Sequence, residues 1–171
     1  MSLVDNLVSA NESYSSSLSD SEKSLPLPPG KKYAVVTCMD ARLHPAKALG
    51  INLGDAHIIR NAGGSAQDAL RSLTISQQLL GTEVVVVVKH TDCGMLTFTN
   101  ADIKAVIARN LGEDAAHESE GADYLPFPEL EDAVREDVQF LKSSPLVCDK
   151  AKQSVSGFVY EVETGRVRRV V

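Results

Sequence analysis

From Lys31 onward the chain alternates short apolar runs with segments of helical periodicity. Tyr33-Ala-Val-Val-Thr37 is apolar and partly β-branched and predicts a buried strand. A helical piece follows at about Pro45 to Leu49 and stops at Gly50. His57-Ile-Ile59 predicts a second short strand, and Asn61-Ala62-Gly63-Gly64 a turn. Ser65, three residues before Asp68, is an N-cap signature for a helix from about Ala66 to Leu80, with Gly81 closing it. Glu83 to Lys89 contains five consecutive valines, the pattern of a central parallel strand buried on both faces. A loop at 90–98 leads to a helix from about Asp102 to Asn110. The small and acidic stretch GEDAAHESEGAD is expected to be exposed, and Leu130 to Leu141 reads as another helix. Residues 155–171 read as a hairpin, Ser156 to Val162 and Arg166 to Val171 about a turn at Thr164-Gly165. Strands alternating with helices predict an α/β fold: a mainly parallel sheet flanked by helices, with a C-terminal hairpin.

Two features break the regular pattern. The helix at 66–80 carries one stripe of Leu70, Leu73 and Leu80, while Ile75 and Leu79 fall off it. A surface helix of a monomer needs only one stripe, so the second is buried either by another chain or by deeper packing within this one. Residues 9–30 are rich in Ser, Asn, Pro and acids and read as an arm. Ahead of them Leu3, Val4, Leu7 and Val8 recur at helical spacing, enough for a short amphipathic helix that needs support from the body or from a second subunit. The expected division is an arm at 1–30 and a single domain at 31–171.

Length and charge narrow the function classes. The chain has 171 residues, about one domain. Its formal charge of −6 argues against binding nucleic acid or an anionic membrane through bulk charge. The valine run is far short of the roughly 20 apolar residues that span a bilayer. The start, MSLVDNLVSANES, lacks the basic and then apolar regions of a secretory signal. Three cysteines, an odd number, suit free thiols or metal ligands better than a disulfide framework. The expectation is a cytoplasmic protein.

The chemistry gathers at two strand ends. Cys38-Met39-Asp40-Ala41-Arg42 follows the first strand, and His90-Thr91-Asp92-Cys93-Gly94 follows the valine strand. In open α/β sheets ligands bind at the carboxyl ends of strands, and neighbouring strands lie about 5 Å apart. Cys38, His90 and Cys93 can then converge. Two thiolates and one imidazole suit zinc, and three ligands leave a fourth position open, as in catalytic sites. Asp40 is the nearby candidate for that position, and Arg42 can hold it through a bidentate ion pair. Either motif alone says little; together, each after a strand, they mark one site. Cys148, His44, His57 and His117 lack ligand spacing and read as structural or surface groups. Asp92 either supports the ligands or shapes its loop, and Asn61 to Gly64 either approaches a ligand or simply turns the chain.

C-x-D-x-R followed about fifty residues later by H-x-x-C-G resembles the β-class carbonic anhydrases, as do Ile59-Arg60-Asn61-Ala62-Gly63-Gly64 and Gly157-Phe-Val-Tyr-Glu-Val162. The resemblance covers 31–171. The wording Cys38-Met-Asp-Ala-Arg-Leu43 and His90-Thr-Asp-Cys-Gly-Met-Leu-Thr97 is similar to a short-chain branch that includes carbonyl sulfide hydrolases. The resemblance implies one Zn2+ per chain on Cys38, His90 and Cys93, an Asp40–Arg42 dyad, and a Gly94 N–H that meets a substrate oxygen. It also implies a homodimer or tetramer. Two departures stand out: Ala41 replaces a common Ser, and the absence of Trp removes one form of a regulatory bicarbonate pocket.

The implied reaction is attack by zinc-bound hydroxide on a small linear molecule: CO2 giving bicarbonate, or carbonyl sulfide giving CO2 and H2S. Two thiolates cancel the charge of the ion, so its water is less acidified than in a three-histidine site. Asp40, kept ionised by Arg42, would compensate by accepting a hydrogen bond from that water. The rival from another class is a non-catalytic zinc module with Asp40 as a permanent fourth ligand.

Overall fold

The computed structural model describes residues 2–171. Five strands form one sheet in the order β2-β1-β3-β4-β5. They are β1 (Tyr33–Cys38), β2 (Ala56–Asn61), β3 (Val84–His90), β4 (Ser156–Tyr160) and β5 (Val167–Arg169). β1 pairs in parallel with β2 and β3, β3 with β4, and only β4 and β5 run antiparallel. The mainly parallel sheet and the terminal hairpin are as expected, with the hairpin strands shorter than the sequence suggested. After β1 the chain crosses to β2 on one side and returns to β3 on the other. The order therefore reverses around β1, which opens a crevice at the carboxyl ends of β1 and β3.

The register explains why the two motifs meet. Thr37 pairs with Val88, so both strands end within two residues of that rung. The Thr37 hydroxyl adds a buried bond to Val88 O at 2.8 Å. Alternation sends Val85 and Val87 to one face, where they pack with Ala34, Val36, Leu73, Val138 and Leu141. That face is covered by α4 (Ala66–Leu80), α7 (Leu130–Ser143) and α8 (Asp149–Ser154). Val86 and Val88 take the other face with Val35 and Ile51, beside the short helix α3 (Pro45–Ala48). A third cluster, Cys38, Leu43, Cys93, Met95, Phe127 and Ala133, closes the carboxyl end of the sheet.

α4 has the predicted bounds. Ser65 caps it by accepting from Asp68 N–H, and Gly81 ends it in the left-handed conformation at φ +72°. Leu73 is fully buried, but Ile75 and Leu79 stay exposed, so the second stripe is not covered within the chain. α5 (Asn100–Leu111) starts slightly earlier than expected, because Thr99 and Asp102 form a capping box.

One expectation needs correction. The N-terminal helix is not short: α1 runs Leu3–Ser17, and α2 (Asp20–Lys23) follows. Ser2 and Asp5 form a capping box. The serines that read as linker instead bond back along the helix, Ser13 to Ser9 O and Ser16 to Glu12 O. No residue of α1 is buried, so the body does not support it. The acidic stretch after Leu111 is largely exposed, as expected, and includes α6 (Glu113–Ser119), with Glu113 and Asp114 favourably placed in its first turn. α8 had no signature in the sequence. Among the described residues, no helix is long and apolar enough to cross a membrane.

Candidate metal centre

Cys38 ends β1, His90 ends β3, and Cys93 stands at the head of the 3-10 turn Gly94–Leu96. All three are buried, and one ligand atom from each lies within 4.8 Å of the others. A tetrahedral zinc ion with bonds of roughly 2.3 Å to sulfur and 2.0 Å to nitrogen holds its ligand atoms about 3.5–3.8 Å apart, so a small closure would seat one.

The donor chemistry fits a cation. His90 Nδ1 lies 2.8 Å from Thr91 O, which can only accept, so the ring proton sits on Nδ1. In the neutral ring the lone pair is then on Nε2, which is buried with no hydrogen-bond partner. An orphaned buried imidazole nitrogen beside two sulfurs is what a ligand atom looks like before it binds. The sulfurs tell the same story. Cys38 is pushed well below a normal thiol by its neighbour Cys93 and, less strongly, by His90 and the nearby backbone of Asp40 and Gly63. Cys93 is pushed far up by Cys38 and by burial. The two sulfurs are pushed in opposite directions, and both can ionise together only with positive charge at the same point.

Asp40 borders the cluster, its Oδ2 3.8 Å from His90 Nε2. Both its oxygens are engaged by Arg42: Oδ1 accepts from Nε at 3.0 Å and from the backbone N–H at 2.8 Å, and Oδ2 accepts from Nη2 at 2.8 Å. These bonds hold the Asp40 carboxyl far below the usual carboxylate range. Gly94 is exposed, and no atom lies within 4 Å of where a side chain would project, so a small molecule can reach this backbone.

The carbonic anhydrase family profile matches residues 33–167, most of the chain. This protein belongs to the β-carbonic anhydrase family. It is 40% identical to β-carbonic anhydrase 1 of Mycobacterium tuberculosis over 99% of both chains. A solved carbonic anhydrase from Glaciozyma antarctica superposes with a TM-score of 0.91 at 47% identity, over 95% of each chain. The chain is also 34% identical to a carbon disulfide hydrolase of Acidianus, covering 84% of this chain and 79% of the relative. The family therefore includes enzymes of CO2 and of a sulfur-bearing analogue.

Within this β-carbonic anhydrase fold the structure resolves two choices and adds residues that the sequence reading passed over. Asp92 acts on the dyad as well as shaping its loop. Its carboxylate accepts from Arg42 Nη1 at 2.6 Å and its carbonyl from Nη2 at 2.9 Å, with its own backbone at φ +53°. The Asn61–Gly64 segment packs against the centre: a Cβ on Gly64 would lie 3.0 Å from Cys38 N, and Asn61 O accepts from Met39 N–H at 2.8 Å. Arg60, quoted earlier only as wording, spans both motif residues, donating to Cys38 O at 3.0 Å and to Asp40 O at 2.7 Å. Its position on β2, which pairs with β1, was the available signal. His57 is drawn into a structural bond with Ser76 at 2.7 Å, and Cys148 donates its N–H to Gln77, both away from the centre.

Proposed function

We propose that the protein is a zinc enzyme that hydrates CO2 to bicarbonate, with one Zn2+ per chain held by Cys38, His90 and Cys93. The observation that carries this reading is the convergence of those three donors beside an Asp40 whose oxygens are tied to Arg42. Zinc bound there would supply Lewis acidity, making water a nucleophile near neutral pH. The chain's residues do the rest. Thr91 O fixes the tautomer of His90 and so aims Nε2. Asp40, kept ionised by Arg42, accepts a hydrogen bond from the attacking water and selects its orientation. Asp92 and the backbone N–H of Arg42 stop the dyad from rotating. Gly94 N–H meets a substrate oxygen. The balance is CO2 + H2O giving HCO3− and a proton, which leaves through solvent.

Engagement of Asp40 by Arg42 argues against Asp40 as a permanent fourth ligand, and hence against the non-catalytic module. A second substrate reading has its own support in the carbon disulfide hydrolase relative and the short-chain motif wording. The same nucleophile attacking carbonyl sulfide gives CO2 and H2S. Self-association as a homodimer or tetramer is supported by the uncovered apolar side chains of α1, Leu3, Val4, Leu7 and Val8. The three cysteines are free thiols, which suits the reducing cytoplasm.

A paired assay on one zinc-loaded preparation tests the reading: CO2 hydration beside sulfide release from carbonyl sulfide. Rapid CO2 hydration supports it. Zinc-loaded protein inert toward both substrates would overturn it.

A further inference from the structure

β3 carries a lysine that the chemistry above does not use. By alternation Lys89 lies on the face of Val85 and Val87, against the helices, and its side chain is only 3% exposed. A buried ammonium is costly unless it is paired and hydrogen-bonded. Here Nζ lies 2.8 Å from Asp137 Oδ2 on α7, 3.0 Å from Gly63 O and 3.5 Å from Gly64 O. It also sits 4.7 Å from the centre of the Phe127 ring. The ammonium thus donates to two carbonyls of a single turn and is ion-paired with Asp137, whose Oδ2 accepts no hydrogen bond.

That turn touches a metal ligand directly. Gly63 and Gly64 are both left-handed, at φ +70° and +61°. Gly64 is pressed so close to β1 that a Cβ there would lie 2.9 Å from Thr37 C and 3.0 Å from Cys38 N. Lys89 therefore grips from one side a turn that braces Cys38 from the other, and Asp137 anchors the grip to α7. A well-packed apolar pair would fill the same space at similar stability, but it would hold no carbonyl.

We propose that Lys89 and Asp137 are positioning residues that lock the Gly63–Gly64 turn against Cys38, keeping its sulfur in place. The inference rests on the zinc reading of the preceding subsection. Loss of contacts that hold a ligand in place typically weakens metal binding about 10–100-fold.

The test compares wild type with two variants. Lys89→Met with Asp137→Leu removes both charges and leaves neither partner buried alone. Asp137→Asn keeps the size and one carbonyl acceptor. Zinc affinity is read by competition with a chromophoric chelator, the sulfur environment by the thiolate-to-metal absorption of cobalt(II)-loaded protein, and folding by circular dichroism. The double variant is expected to fold, to bind zinc about 10–100-fold more weakly and to show a shifted cobalt band. Asp137→Asn should fall between it and wild type. A folded double variant with wild-type affinity and an unmoved band would overturn the proposal. If the double variant does not fold, Asp137→Asn decides: weaker binding by a folded protein supports the lock, and unchanged binding overturns it. Wild type that takes up neither zinc nor cobalt overturns the metal reading as well. Wild type that binds while both variants match it overturns the lock alone.

Discussion

Replacing Gly64 by Ala isolates the pressure that the 62–64 turn exerts on Cys38. Two effects add. The left-handed backbone at φ +61° costs an L-residue about 1–2 kcal/mol. The new Cβ also meets the backbone of Thr37 and Cys38 at 2.9–3.0 Å, and an intrusion of this kind typically costs about 1–3 kcal/mol. The sum is about 2–5 kcal/mol. Gly81→Ala is the control, since Gly81 has φ +72° but nothing within 4 Å of its Cβ position, and should lose only the first part. Urea unfolding in excess chelator takes metal linkage out of the comparison. With a slope of about 2 kcal/mol/M, Gly64→Ala should lower the midpoint by about 1–2.5 M, and Gly81→Ala by under about 1 M. Zinc affinity should fall for Gly64→Ala and hold for Gly81→Ala. Equal midpoint shifts, or unchanged zinc affinity in the Gly64 variant, would refute the claim that this turn braces Cys38.

Other expectations follow from the same geometry. Asp40→Asn should keep zinc but lower turnover about 10²–10⁴-fold, the usual contribution of a positioned proton acceptor; elemental analysis beside stopped-flow CO2 hydration checks it. Dialysis against a strong chelator should abolish activity and lower the Tm, and stoichiometric zinc should restore both; activity that survives complete zinc removal would contradict this. Glu131 links Arg135 on α7 to Arg168 on β5, and these partners hold its carboxyl below the ordinary glutamate value. A depressed folded value means that its stabilisation is complete above about pH 4.3 and disappears as the pH falls through that range. The gap in urea midpoint between wild type and Glu131→Gln should therefore be steady from pH 7 to 5 and shrink as the pH falls below about 4.3.

Much of the site was legible because strand signals and chemical motifs adjoin. A valine run ending in His-x-x-Cys, and a short apolar run ending in Cys-x-Asp-x-Arg, locate three donors at strand ends before any coordinates are seen. The supporting residues were hidden for a physical reason. Lys89 reads as the solvated end of a strand; its burial depends on Asp137 in a distant helix and on two glycine carbonyls that no local pattern announces. Arg60 is one polar residue on a short strand, and its role exists only because β2 lies beside β1. α1 was underestimated because serine favours turns in isolation, whereas here capping and back-bonding tip the balance to helix.

β3 works as a measuring rod. Its start is pinned where Glu83 N–H bonds to Lys32 O at 2.7 Å, and its far end must deliver His90 opposite Cys38. Between these fixed points the five valines are interchangeable in kind but not in number. Swapping one for isoleucine alters packing slightly, whereas deleting one leaves the imidazole a residue short or on the wrong side of the sheet. Sequence drift in this strand is thus free in composition and forbidden in length.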